Sequence, residues 1–190
     1  MVFFSGRQHA GENLSDVLQQ RAKELDAPIQ MCDGLTRNLP KELATILANC
    51  LTHGRRKFVD LYDRFEDQCG YVINALKAVY HNDEVARDKK LPADERLSYH
   101  QIHSQPTMDD LKKWLDRQFE EKRVEPNSAL GDAINYLLGH WNAMTLFLRK
   151  AGAPLDNNLC ERALKKAILH RKNALFFKTR RGAYVGDIYM

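Results

Sequence analysis

The 190-residue chain lacks the markers of several protein classes. Its four cysteines, Cys32, Cys50, Cys69 and Cys160, stand far apart and form no CxxC pair, so zinc-ribbon spacing is absent. Reduced thiols of a cytoplasmic protein, packed as small core residues, are the simplest reading. The opening Met1-Val2-Phe3-Phe4-Ser5-Gly6 is apolar but too short for the core of a secretory signal. Nothing reaches the run of about 20 apolar residues that crosses a bilayer. The most apolar stretch, Ala133 to Leu148, is broken by Asn135, Gly139, His140 and Asn142 and reads as a buried helix. There is no GxSxG, no phosphate-cradling glycine loop and no dinucleotide fingerprint. Internal repeats and low-complexity runs are also missing.

What remains is the composition of a folded protein. Hydrophobic residues make up 44% and charged residues 28%. A net charge of +4 is too small to decide anything as an average. Its distribution is more informative. From Glu161 to Arg181 the cations Arg162, Lys165, Lys166, Arg171, Lys172, Lys178, Arg180 and Arg181 face a single acid, Glu161, with His170 and Phe176-Phe177 interleaved. Such a surface binds phosphate backbones by releasing counterions. The alternative is a solvated basic face. A smaller cluster, His53-Arg55-Arg56-Lys57, reads either as a second phosphate contact or as an exposed strand end.

Hydrophobic periodicity organises the chain. Residues 2–5 read as a strand, Gly11 to Leu25 as a helix with Leu14, Val17, Leu18, Ala22 and Leu25 on one face, and Pro28 to Cys32 as a short buried strand. A helix is predicted from Pro40 to Leu47 and a strand from Ala48 to Leu51. From about Phe58 to Lys150 only helical spacing is found. Its stripes are Phe58, Leu61, Tyr62 and Phe65; Tyr71, Ala75, Ala78 and Val79; and Met108, Leu111, Leu115 and Phe119. Pro92 with Asp94 and Glu95 starts one helix there, and Pro126-Asn127-Ser128 precedes the long apolar helix from Leu130 to Leu148. A last helix begins near Asn158. Strands alternating with helices imply an α/β core, and the helical block reads as an insertion into it.

Two carboxylates stand out. Asp33 follows a buried strand, a position suited to a hard cation that prefers oxygen ligands. On local sequence alone Asp33-Gly34 reads first as a turn, for backbone reasons. Glu161 falls in the first turn of the last helix. With Asn158 as N-cap it would close a capping box, a role that needs no chemistry. His100 and His103 have no third ligand nearby in sequence and read as surface residues.

The segment Asp156-Asn157-Asn158-Leu159-Cys160-Glu161-Arg162-Ala163-Leu164, with Arg171-Lys172-Asn173 and Leu175-Phe176 after it, resembles the C-terminal acidic motif of transposases of the insertion sequence 66 family. Cys50, His53, Arg55, Arg56 and Phe58 resemble that family's Cys-His-Arg-Arg-Phe block, and Asp33 stands where the family places its second catalytic aspartate. The similarity covers nearly the whole chain. It implies a ribonuclease-H-like core of which the first two strands are missing, with a large all-helical insertion and mostly α content by residue count. The implied divisions are 1–58 for the N-terminal part of the core, 59–150 for the insertion, and 151–190 for the glutamate helix and basic segment.

The resemblance also implies a chemistry. Members of the family cut and join DNA at transposon ends with two Mg²⁺ or Mn²⁺ ions held by three carboxylates. The catalytic and metal-binding positions that map here are Asp33 and Glu161. His53, Arg55, Arg56, Arg162, Lys165, Lys166, Arg171 and Lys172 map to DNA contacts. The family's first aspartate has no counterpart in this chain, which leaves its standing as an enzyme open. A fragment of a transposase catalytic domain, inactive alone, is therefore expected. A non-catalytic DNA-binding or regulatory remnant is the alternative. The expected partners are DNA and other transposase subunits, without a membrane, in a bacterial cytoplasm and associated with the nucleoid when DNA is bound.

Overall fold

The computed structural model describes residues 10–21, 25–33, 39, 44–173, 179, 181–182 and 184–185. Among the described residues it is 66% helical, with one small parallel sheet of two strands. The chain divides into two units, residues 1–46 with 157–190, and residues 47–156.

The first unit contains α1 (Ala10–Gln19), β1 (Ile29–Cys32), the first residue of β2 (Ile46–Asn49) and α8 (Asn158–Asn173). Helix α1 stops earlier than the predicted Leu25. The amides of Gln20 and Arg21 turn back to the carbonyls of Val17 and Leu18, a tightened exit that ends the ladder. Strand β1 falls where the apolar run predicts it. Pro28 has no amide to give, but its carbonyl accepts from Ile46 N at 2.9 Å and starts the pairing with β2. The second strand begins at Ile46, not Ala48, so Ile46 and Leu47 leave the predicted helix. Residues 2–5 and 40–43, where a strand and a helix are predicted, lie outside the described residues.

The second unit is all helix among the described residues that follow β2. It runs α2 (Leu51–Val59), α3 (Glu66–Asp88), α4 (Ala93–His103), α5 (Gln105–Glu120), α6 (Ala129–Gly139) and α7 (Trp141–Met144), then one 3₁₀ turn at Leu146–Leu148. Of the predicted stripe on α5, Met108, Leu111 and Leu115 are buried and Phe119 is half-buried. On α3 the buried line is Cys69, Val72, Leu76 and Val79, and Tyr71 faces out. The aromatic points sequence reasoning to the wrong face. Tyr71 instead stacks on Trp114 at 4.6 Å between ring centres. The predicted helix from Leu130 to Leu148 breaks into three pieces at His140 and Thr145, whose ψ angles of 8° and 16° leave the helical range. Its first piece is deeply buried, with Leu130, Ala133, Ile134 and Leu137 at most 2% exposed. Each such leucine or isoleucine contributes ~1.5–3 kcal/mol of burial.

Gly54 explains how α2 reaches that core. A Cβ there would sit 2.6 Å from Leu137 Cδ1 and 3.3 Å from the end of Met144, so a larger residue would have to displace the Leu137 side chain. The unit is tied at its ends by Leu51 N donating to Leu155 O at 3.0 Å. Beside it, Tyr80 Oη and Thr52 Oγ1 share a 2.8 Å hydrogen bond, and Thr52 donates to Asp156. Burial pushes the Tyr80 phenol well above its ordinary range, so it stays a neutral partner there.

His100 corrects the sequence reading. It is 1% exposed. Its Nε2 lies 3.1 Å from Asp83 Oδ1 and its Nδ1 lies 3.0 Å from Ser104 Oγ. A histidine can be buried at low cost when both ring nitrogens find partners. His103 is exposed, as predicted, and packs against Tyr99. Of the cysteines, Cys32, Cys50 and Cys69 are buried core residues and Cys160 is exposed. No helix among the described residues is long and apolar enough to cross a membrane.

Candidate functional site

Within the first unit, α1, β1 and the start of α8 enclose a cavity of about 520 Å³. Leu14 and Leu18, four residues apart on one face of α1, form an apolar wall. Pro28 to Cys32 line it along β1, and Thr45 closes it at the entry to β2. The hydroxyl of Thr45 donates to Gln30 Oε1 at 3.0 Å. Asp33, at the C-terminal end of β1, and Glu161, in the first turn of α8, both line this same cavity. Both are half-buried. The structure thus brings together the two carboxylates singled out in the sequence.

The start of α8 differs from its predicted register. The amide of Glu161 donates to the carbonyl of Asn157 at 2.9 Å, so Asn157, not Asn158, is the N-cap. Glu161 then sits one position too late for the capping box, and it lines the cavity. Asn157 also lines the cavity, and its Oδ1 is buried with no hydrogen-bond partner among the described residues. The sequence reading names Asn157 only as part of the motif segment and gives the cap to Asn158. The signal was present in the Asn157-Asn158 pair, but two adjacent asparagines cap equally well on paper, and only the backbone decides which one does.

The basic residues are distributed as follows. Arg162 and Lys165 are exposed on α8, and Arg162 Nε donates to Asn158 O at 3.3 Å. Lys166, Arg171 and Lys172 belong to α8, but their side chains lie outside the described residues. His53, Arg55 and Arg56 belong to the second unit. They lie on α2, which replaces the exposed strand end considered for them. Strand β2 ends at Asn49, and the extended Cys50 opens the helix. His53 and Arg55 are half-buried and Arg56 is exposed. Lys57, beside them, lies 4.5 Å over the ring of Tyr136. No cluster of three or more His, Cys, Asp or Glu side chains suited to a metal occurs among the described residues.

The oxygens at the cavity suit a hard divalent ion. Asp33 and Glu161 bring carboxylates, and the orphaned Oδ1 of Asn157 is a neutral acceptor of the same kind.

The class of protein is thus a mostly helical chain in which two motif carboxylates, distant in sequence, converge on one cavity beside exposed cations. The profile of the Transposase IS66 family matches residues 2–185, and the chain belongs to that family. It is similar to three proteins of Sinorhizobium fredii (strain NBRC 101917 / NGR234), each described as uncharacterized. It is 35% identical to y4hP over 154 residues, which is 75% of this chain and 28% of that protein. It is 35% identical to y4jD over 132 residues, 68% of this chain and 25% of y4jD. It is 30% identical to y4qI over 131 residues, 68% of this chain and 24% of y4qI. The chain therefore spans about a quarter of the length of these relatives. No solved structure matches it.

Proposed function

We propose that this chain is the Asp33- and Glu161-bearing part of a transposase catalytic domain, with Mg²⁺ or Mn²⁺ held at those carboxylates and DNA phosphates held by the neighbouring cations. The observation that carries this is the convergence of Asp33 and Glu161 on one cavity. A turn aspartate and a helix-capping glutamate would have no reason to meet. Family membership points the same way.

A ribonuclease-H-like core interrupted by a helical insertion accounts for the two units. The residues from 47 to 156 separate β1 from α8 in sequence, while both of those elements lie in the other unit. The functional divisions are 1–58, 59–150 and 151–190 in this reading. A bound divalent cation would supply Lewis-acid polarisation of a phosphate oxygen and lower the pKa of a bound water. The chain's own part is to present Asp33 and Glu161 as ligands. Arg162, Lys165, Lys166, Arg171 and Lys172 hold the backbone of the DNA, with His53, Arg55 and Arg56 as a further contact.

The test is Mn²⁺ binding to the full chain, followed by calorimetry. Asp33→Asn and Glu161→Gln are each expected to weaken binding about tenfold or more, since each removes one charged ligand. Unchanged binding in both variants refutes the cation site. Duplex DNA binding is expected to fall steeply with salt. Arg162→Ala and Lys165→Ala should each reduce the logarithmic salt slope by about 1. Steep salt dependence without any cation binding would instead favour the non-catalytic, DNA-binding remnant.

A further inference from the structure

We propose that Asn157 supplies, through its side-chain Oδ1, a third protein oxygen to the cation held by Asp33 and Glu161. This rests on the cation site proposed above and assigns to it a neutral ligand beside the glutamate of the acidic motif.

Position is the first argument. Asn157 caps α8 and Glu161 lies in its first turn, so one helix end carries both residues. Both line the cavity that Asp33 also lines. The second argument is the missing cap. An asparagine at an N-cap normally spends its side-chain oxygen on an amide of the first turn. Ser128 does this for α6, accepting from Gly131 N at 3.0 Å. Asn157 does not: its Oδ1 is buried and has no hydrogen-bond partner among the described residues. Leaving a buried carbonyl unsatisfied costs about 1–3 kcal/mol. A bound cation, which takes neutral carbonyl oxygens together with carboxylates, would recover that cost.

The third argument is charge. The N-terminus of α8 carries the positive end of the helix dipole, which disfavours a cation. Asp33 and Glu161 outweigh it with two negative charges. A neutral amide oxygen completes coordination without a third, and water fills the remaining positions. Asn157→Asp then converts a site of two carboxylates into one of three. Aspartate is as good an N-cap as asparagine, so this variant keeps the fold.

The experiment measures free Mn²⁺ by electron paramagnetic resonance against the full-length chain, with circular dichroism to verify folding. Asn157→Asp is expected to tighten Mn²⁺ binding about tenfold, and Asn157→Leu to weaken it about fivefold. Asn158→Asp, which places the same charge one residue away and outside the cavity lining, should tighten it clearly less, because it adds charge without adding a ligand. Equal tightening by Asn157→Asp and Asn158→Asp means a general charge effect and overturns the assignment. So does no change at Asn157 while Asp33→Asn still abolishes binding, an outcome that leaves the Asp33–Glu161 site standing. If Asp33→Asn and Glu161→Gln change nothing, or the wild-type chain takes up no Mn²⁺, both the site and the assignment fall.

Discussion

Asp83→Ala is expected to lower the stability of the full chain by about 3 kcal/mol at pH 7, because it breaks a buried charge pair and leaves its partners behind. Asp83 on α3 is 6% exposed. Arg96 on α4 donates to its Oδ1 through both Nε and Nη2, and His100 Nε2 lies 3.1 Å from the same oxygen. Arg87, one turn along α3, is 3.5 Å from the other oxygen. His100 passes the network on to Ser104, the N-cap of α5, and Asn82 Nδ2 donates to Ser104 Oγ at 3.2 Å. Three helices therefore share one polar cluster. Removing the carboxylate strands a guanidinium and a buried imidazole together. Arg96 is 30% exposed and can turn partly to water, which keeps the expected loss near the lower end of the range for such breaks.

The same group sets an acid dependence. Burial pushes the Asp83 carboxyl up, but the hydrogen bond from His100 and the charge and hydrogen bond of Arg96 outweigh it, and the net shift is downward. A folded-state pKa below the unfolded one means the unfolded chain takes up the proton first. The contribution is thus complete above the ordinary aspartate range, near pH 4, and is lost as pH falls through the lower folded-state value. Urea unfolding of wild type and Asp83→Asn at pH 7 and pH 3 measures it. The gap between the two proteins should shrink at the acid end. A gap that stays constant would mean that the charge on Asp83 adds nothing to its shape.

How much of this is legible in the sequence depends on what each residue answers to. Helices set by apolar spacing and punctuation are readable: α4 after Pro92, α5 with Met108, Leu111 and Leu115, and α6 after Ser128. Choices between near-equal local options are not. Tyr71 against Val72 as the inward residue of α3 turns on Trp114, more than forty positions away, because a tyrosine with an aromatic neighbour need not enter the core. His100 reads as a surface residue because its partner Asp83 lies on another helix, and no short-range spacing links the two. The His53-Arg55-Arg56 cluster reads as a strand end because the apolar run places β2 two residues late.

The candidate site follows the same rule. Asp33 and Glu161 are found through motif segments, and each has a local explanation that would suffice. What the residues alone do not give is that both line one cavity, or the one-residue shift that makes Asn157 the cap and takes Glu161 out of the capping box.

Two glycines of α6 should respond to alanine with opposite signs. Gly131 lies at the third position of the helix, against the turn that precedes it. A Cβ there would stand 2.3 Å from Glu125 O and 2.5 Å from Pro126 O, and these are backbone atoms that cannot rotate away. The turn is held by its own bonds: Ser128 Oγ donates to Glu125 O at 2.7 Å and accepts from Gly131 N, and Asp132 N donates to Ser128 O. Pushing the turn out to admit a methyl group breaks these contacts. Loss of an N-cap costs ~1 kcal/mol and forced repacking ~1–3 kcal/mol, so Gly131→Ala should destabilise by about 3 kcal/mol. Gly139, at the other end of α6, has no described atom within 4 Å of where a methyl group would stand, and no positive φ. There alanine only narrows the unfolded ensemble, and Gly139→Ala should stabilise by about 0.5 kcal/mol. Urea midpoints of the two variants, measured side by side, decide the matter. A stabilising Gly131→Ala would mean that the turn from Glu125 to Ser128 yields freely, and that the cap on α6 contributes little to the helical unit.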